Sequence, residues 1–299
     1  MEFAHLREYG YAEMIADLKR LERAFPFLRF KTIGNSVLGR PIPAVWLGNG
    51  TRKVHYNASV HANEWITSAV LMRFLADVAD AVATGEKTGE GADGLNEILS
   101  RTQICVVPMV NPDGVELALG RIGESDSLYA ELVGLNGGST DFTGWKANIR
   151  GVDLNDQFPA FWEEEKKRRN VAKPGPRDYG GEFPLSEPEA FALAALARRE
   201  KFHLAMSFHT QGKEIYWNYR NFEPATAEHA AKRLAAVSGY VPVKLADSDA
   251  GFKDWFIYEF GAPGFTVEAG FGVNPLPPAQ FADIYNACRN IMLEGLRLI

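Results

Sequence analysis

The chain has 299 residues, 32 Lys and Arg against 38 Asp and Glu, and a formal net charge of −6, with 46% hydrophobic and 23% charged residues. That mix excludes a disordered, collagen-like or low-complexity chain, and the acidity argues against nucleic acid or an anionic membrane as partner. A chain this long buries roughly three quarters of its unfolded surface without disulfide staples. In chain order, apolar positions Met14, Ile15, Leu18 and Leu21 predict a helix over 11–24, closed by Pro26. Short β-rich pieces follow at 28–34, 42–48 and 53–60, with Gly39 and Pro41 marking a turn. An apolar helix over 64–83 leads into a loop carrying Gly85, Gly89, Gly91 and Gly94. The apolar run 102–110 predicts a strand buried on both faces. Further strands are predicted at 203–208, 213–217 and 264–268, and further helices at 187–201, 226–238 and 278–297. Ser186-Glu187-Pro188-Glu189 has the pattern of a capping box with Ser186 as the cap.

Strands alternating with helices predict an α/β fold with a mostly parallel sheet. No repeat, Ser-rich linker or charge block divides the chain, so the expectation is one domain over 1–299. Residues 122–186 have little periodicity and many Gly, Pro and charged residues. Irregular stretches that long are usually functional. Cys105 and Cys288 read as two buried free thiols. The first residues, Met1-Glu2-Phe3-Ala4-His5, lack the features of a signal peptide, and no apolar run is long enough to span a bilayer. The expectation is a cytoplasmic protein.

The sharpest local signal is His61-Ala62-Asn63-Glu64, immediately after a strand-like segment. An imidazole and a carboxylate at that spacing are two of the three protein ligands a catalytic zinc needs. Of the six histidines, His209 stands out as the third candidate, because it ends an apolar strand and precedes Thr210-Gln211-Gly212. Strand ends are where α/β sheets display site residues. His203, His5, His55 and His229 lack comparable context. Glu268, in Phe265-Thr266-Val267-Glu268-Ala269-Gly270, is placed to act as a general base. Asp153, in Gly151-Val152-Asp153-Leu154-Asn155-Asp156, is suited to hold a ligand histidine by its second nitrogen.

Taken in order, HxxE, GVDLN, SFHTQG and TVEAG, with Pro112-Asp113-Gly114 between the first two, resemble the zinc carboxypeptidase superfamily. The likeness runs from Ser36-Val37-Leu38-Gly39-Arg40-Pro41-Ile42 to Glu268 and beyond. It implies a single domain with a twisted, mixed eight-stranded sheet between helices. It also implies one zinc held by His61, Glu64 and His209, with Glu268 as general base and acid. A cation stabilising the oxyanion is implied as well, and Lys146 is slightly favoured over Arg150.

One departure narrows the substrate. Where carboxypeptidases of the superfamily carry Asn-Arg, this chain has Asn155-Asp156, so the cation that grips a peptide C-terminus has become an anion. The tyrosine capping the family's pocket is also missing near Ala246. Asp153-Leu154-Asn155-Asp156-Gln157-Phe158-Pro159, Ser207 to Trp217, and Gly270 to Pro277 are instead similar to bacterial γ-D-glutamyl-meso-diaminopimelate peptidases. That resemblance implies a muropeptide substrate, and the expectation is a catalytic domain without an appended LysM wall-binding module. On this reading Asn155 binds a substrate carboxylate or amide, Asp156 the diaminopimelate ammonium, and Lys253 or Arg220 its distal carboxylate. A zinc carboxypeptidase or amidohydrolase for another acylated amine is the alternative. A metal-free binding module is a third reading, disfavoured because all three ligand candidates and Glu268 are present.

Overall fold

The computed structural model describes residues 8–85 and 94–299. The expectations for Gly89, Gly91, His5 and the N-terminal pentapeptide lie outside those residues. Eight strands form one sheet: β1 (Arg29–Asn35), β2 (Pro41–Leu47), β3 (Arg52–Ala58), β4 (Thr102–Val107), β5 (Leu204–His209), β6 (Glu214–Tyr216), β7 (Val241–Val243) and β8 (Gly264–Glu268). Their spatial order is β1-β2-β4-β3-β5-β8-β6-β7. The centre, β4-β3-β5-β8, is parallel, whereas β1 pairs β2, β2 pairs β4 and β6 pairs β8 antiparallel. The sheet is therefore mixed, with a parallel middle that needs helical cover on both faces.

Among the described residues there are ten helices, several of which supply that cover: α1 (Tyr11–Ala24), α2 (Ile66–Thr84), α3 (Leu95–Arg101), α4 (Pro112–Ala118), α5 (Tyr129–Leu135), α6 (Trp162–Arg169), α7 (Pro188–Glu200), α8 (Ala227–Ser238), α9 (Phe252–Phe260) and α10 (Phe281–Gly295). Side chains alternate across each strand. Val54, Tyr56, Ala58, Leu204, Met206 and Phe208 thus face the core that α1, α2, α3, α8 and α10 share. Cys105, Val107 and Ala205 face the core built with α7 and α9. A third cluster, around Trp145, Phe142, Leu132 and Leu117, packs the chain between α4 and Ile149. The irregular 122–186 region is thus anchored by its own apolar core and carries α5 and α6. Both cysteines are buried and free.

The resemblance-bearing motif residues in Arg40 and Asp113 have a structural role. Asp113 pairs with Arg40 at 2.5 Å and accepts from the Leu38 amide at 2.7 Å, tying the 36–40 turn to the start of α4. Asn111 caps α4 by accepting from the Gly114 amide at 3.0 Å. A Cβ on Gly114 would lie 2.6 Å from the Asn111 side chain, so glycine is required there.

Several elements escape the periodicity. α9 is rich in buried aromatic residues on nearly every side, so it shows no polar stripe. α6 reads as a charge run, but its acids lie in the first turn and its bases in the last, matching the helix dipole. β7 is three residues long and contains Pro242, as an edge strand allows. The capping expectation at Ser186 is corrected: Glu187 is the N-cap and caps without a side-chain bond. The Ser186 hydroxyl instead donates to Gln157 Oε1 at 3.1 Å, because Gln157 is buried beneath it and needs a donor.

Candidate active site

Three strand ends meet at the site. His61 follows β3, His209 ends β5 and Glu268 ends β8, where it is the register partner of His209. The C-terminal edge of parallel strands is the usual location for chemistry in such sheets. After β3 the chain turns at Ser59, whose φ is +48°, and the amide of Ser59 donates to Thr67 Oγ1 at 3.1 Å. A one-turn 3-10 helix over Ala62–Glu64 then brings Glu64 back beside His61.

The geometry of the three ligand candidates is tight. His61 Nδ1 lies 2.8 Å from Glu64 Oε1, His209 Nδ1 lies 3.0 Å from Glu64 Oε2, and the two Nδ1 atoms are 3.2 Å apart. One donor atom from each residue falls within 4.8 Å of the others, and all three residues are buried. Two imidazoles and a carboxylate converging in this way match the donor chemistry of a catalytic zinc with an open fourth position. Their outward nitrogens are occupied too. His61 Nε2 lies 3.2 Å from Asp153 Oδ1, and His209 Nε2 lies 3.3 Å from Ser207 Oγ. Asp153 is itself held by the Asn155 and Asp178 amides, each at 3.1 Å.

The charges are strongly coupled. Burial opposes the charged form of His61, but Glu64 and Asp153 outweigh it and raise its pKa to about 9. His209 is shifted down, chiefly by burial. Glu64 and Asp153 are held well below the carboxylate range because neighbouring histidines overcome their burial. Glu268 goes the other way, raised to about 8 by burial and by repulsion from Glu64. A pair of carboxylates with opposite shifts is the usual mark of separate roles.

The remaining expected residues divide. Lys146 reaches the site: its ammonium is 3.9 Å from Glu64 Oε1, and its carbonyl accepts from the Ala62 amide at 2.9 Å. Arg150 does not, since its exposed guanidinium lies 3.6 Å from Glu187. Asn155 sits between Asp153 and α9, its Oδ1 accepting from the Phe252 amide at 3.4 Å. Asp156 is not isolated. Its buried carboxylate is paired with Arg169 at 3.0 Å, so it is not an open anion waiting for an ammonium. Arg169 also meets Glu165 at 2.8 Å and Asp178 at 3.2 Å.

Arg220 forks onto Asp249 at 2.6 and 2.8 Å and lies 4.1 Å over the Phe161 ring. Lys253 is buried and donates to the Asn218 carbonyl at 2.7 Å and to Asp254. Both cations line a cavity of about 560 Å³ that also contains Lys244, Asp247 and Ala246. Asn274 is a site residue the sequence reading missed. Its amide lies 3.5 Å from Glu64 Oε1 and its carbonyl oxygen accepts from Thr210 at 2.7 Å. Its place in Gly270 to Pro277, just beyond Glu268, was the one available signal.

Residues 14–286 match the zinc carboxypeptidase family. Gamma-D-glutamyl-L-diamino acid endopeptidase 1 of Lysinibacillus sphaericus is 49% identical over 292 residues, covering 98% of this chain and 73% of that protein. Among solved structures, bovine thrombin-activatable fibrinolysis inhibitor aligns with a TM-score of 0.71 at 19% identity, over 96% of this chain and 94% of the other. Carboxypeptidase A from Helicoverpa armigera aligns with a TM-score of 0.70 at 19% identity, over 97% of this chain and 73% of the other. The two structures share the fold; the family match, with zinc as its cofactor, carries the chemistry. This chain belongs to the zinc carboxypeptidase family and is a zinc metallopeptidase.

Proposed function

We propose that this peptidase hydrolyses the amide bond between γ-D-glutamate and meso-diaminopimelate in bacterial cell-wall peptides. The observation that carries the reading is the 49% identity, over nearly the whole chain, to a relative named for cleavage beside a diamino acid. The site chemistry agrees with it. A peptide C-terminus has no unpaired cation at position 156, because Asp156 stands there and is paired with Arg169. The cavity that Arg220 and Lys253 share is lined also by Lys244, Asp247, Asp249 and Asp254. Both signs of charge are present there, Arg220 paired with Asp249 and Lys253 with Asp254, and they suit the far end of diaminopimelate, which carries an ammonium and a carboxylate together. In this reading the ammonium is met by an acid of that cavity and not by Asp156.

We assign His61, Glu64 and His209 as the ligands of one zinc. When bound, zinc acidifies water and polarises a carbonyl. Asp153 keeps His61 Nδ1 pointed inward by engaging Nε2. Glu268 takes a proton from the attacking water and returns it to the departing amine, so the C–N bond breaks as a C–O bond forms. Lys146 supplies positive charge where the scissile carbonyl oxygen becomes negative. No described helix is long and apolar enough to cross a membrane. We place the reaction on soluble cytoplasmic muropeptides, since a net charge of −6 disfavours association with anionic wall polymers.

The test is mass spectrometry of products from L-Ala-γ-D-Glu-meso-diaminopimelate and its lysine analogue. Release of diaminopimelate, with the lysine peptide cut far more slowly, is expected, because a site built for a polar group rejects analogues lacking it. Equal kcat/KM for the two peptides would remove the selectivity, and no cleavage of either would remove the substrate class.

A further inference from the structure

β3 and β5 carry a row of buried polar side chains on one face of the sheet, in a layer otherwise apolar. His55, Asn57, Ser207 and His209 all point to that face, and Asn57 and Ser207 are register partners. All four are at most 1% exposed. Their contacts run in sequence: His209 Nε2 to Ser207 Oγ at 3.3 Å, Ser207 Oγ to Asn57 Oδ1 at 2.6 Å, and Asn57 Nδ2 to His55 Nε2 at 3.2 Å. Buried polar groups are costly unless hydrogen-bonded, so each of these contacts constrains where protons sit. The proposed chemistry uses only His209.

The direction of the row follows from its ligand end, because His209 can offer Nδ1 to a metal only with its own proton on Nε2, where it donates to Ser207. His55 is stacked on Phe202 at 4.8 Å and met edge-on by Phe252 at 5.6 Å, and burial pushes its pKa down to about 3, so the ring is neutral. A neutral ring that accepts at Nε2 carries its proton on Nδ1, which has no hydrogen-bond partner among the described residues, and takes the NH₂ of Asn57, turning the amide carbonyl toward Ser207. The Ser207 hydroxyl must then donate to Asn57, leaving a lone pair for His209 Nε2–H. With the amide reversed, Asn57 would donate to Ser207, and a hydroxyl thereby freed to donate to His209 Nε2 would move the ring proton to Nδ1. That proton would point at Glu64 and the metal position and block coordination.

We propose that Ser207, Asn57 and His55 are positioning residues that hold His209 in the tautomer with its proton on Nε2, leaving Nδ1 as the donor to zinc. The inference rests on His209 being a ligand. It gives a role to His55, which contacts none of the ligand candidates directly.

The experiment uses zinc-loaded protein labelled with ¹⁵N at histidine, together with zinc affinity from chelator competition. In the parent, long-range ¹H–¹⁵N spectra should show His55 protonated at Nδ1 with a bare Nε2, and a slowly exchanging proton on His209 Nε2. Ser207→Ala should weaken zinc binding roughly 10–100-fold, and His55→Phe should weaken it by roughly tenfold or more, as for other losses of a ligand's supporting bonds. His55→Gln, whose side-chain carbonyl still accepts from Asn57, should retain near-parental affinity. A proton on His55 Nε2 in the parent, or parental affinity in folded Ser207→Ala, overturns the proposal. Should His55→Phe not fold, those two results decide alone. Full zinc occupancy in His209→Ala would instead remove the ligand assignment beneath it.

Discussion

His61 and Glu268 are raised for opposite electrostatic reasons, and their proposed roles differ accordingly. His61 sits between two carboxylates that favour its charged form, whereas half-buried Glu268 feels desolvation and repulsion from Glu64, which disfavour its charged form. Glu268→Gln keeps the shape and removes the base. Its kcat should fall at least ~100-fold, the usual size of a lost general base, while metal analysis still finds about one zinc per chain. A fully active variant would place the base elsewhere. Lys146 and Arg150 can be separated in the same assay. Lys146→Met should lower kcat by ~10²–10³-fold, as for one lost oxyanion donor. Arg150→Met should leave kcat near the parent value, because Arg150 is exposed and faces Glu187. The reverse result would return the oxyanion role to Arg150.

The first turn of α7 shows how an element end can store a pH dependence away from the chemistry. Glu189 is buried there, accepts from the Val37 amide at 3.0 Å and faces the Asn148 amide at 3.4 Å. Burial raises its pKa from the ordinary 4.5 to about 7 against those bonds. The folded state therefore holds a proton that the unfolded state has released between pH 4.5 and 7. Its contribution is fully present below about pH 4.5 and is lost as pH rises through 7. Glu189→Gln should gain on the parent between pH 5 and pH 8, by up to about 3 kcal/mol. Urea denaturation at the two pH values checks this. Parallel loss of stability in parent and variant would mean that Glu189 is ionised throughout.

Across the whole molecule, the site gathers buried Glu64 and Asp153, half-buried Glu268 and two buried histidines at one edge of the sheet. Metal bound only by the folded chain stabilises it by mass action, by about 2.7 kcal/mol when zinc is at a hundred times its Kd. Calorimetry should show a lower Tm after chelation and recovery on adding zinc. Chelation should not shift the Tm of His209→Ala further. A parent Tm indifferent to chelator would show that metal is not bound by the folded state.

Local pattern was enough for the long helices, the central strands and the ordered strand-end motifs. α1, α2, α7, α8 and α10 bury a stripe on one face or a continuous apolar run, and such patterns depend on neighbours only a few residues away. His61, Glu64, His209 and Glu268 were readable because each lies at a strand end in a distinctive short motif. Short α3, α4 and α5 have too few turns to show a period, and aromatic α9 has no polar face to contrast with its buried one. What the tertiary structure decided is which charges are free. Asp156 reads as an open anion until Arg169, thirteen residues on, is seen against it. Arg150 reads as a rival to Lys146 until Glu187 meets it, and Lys253 reads as a free pocket cation until Asn218 and Asp254 enclose it. His55 has no visible partner in sequence because the partner of its neighbour Asn57 is Ser207, 150 residues away. Hydrophobic periodicity is a local property of the chain, whereas the pairing of a buried charge depends on which distant segment the fold brings beside it.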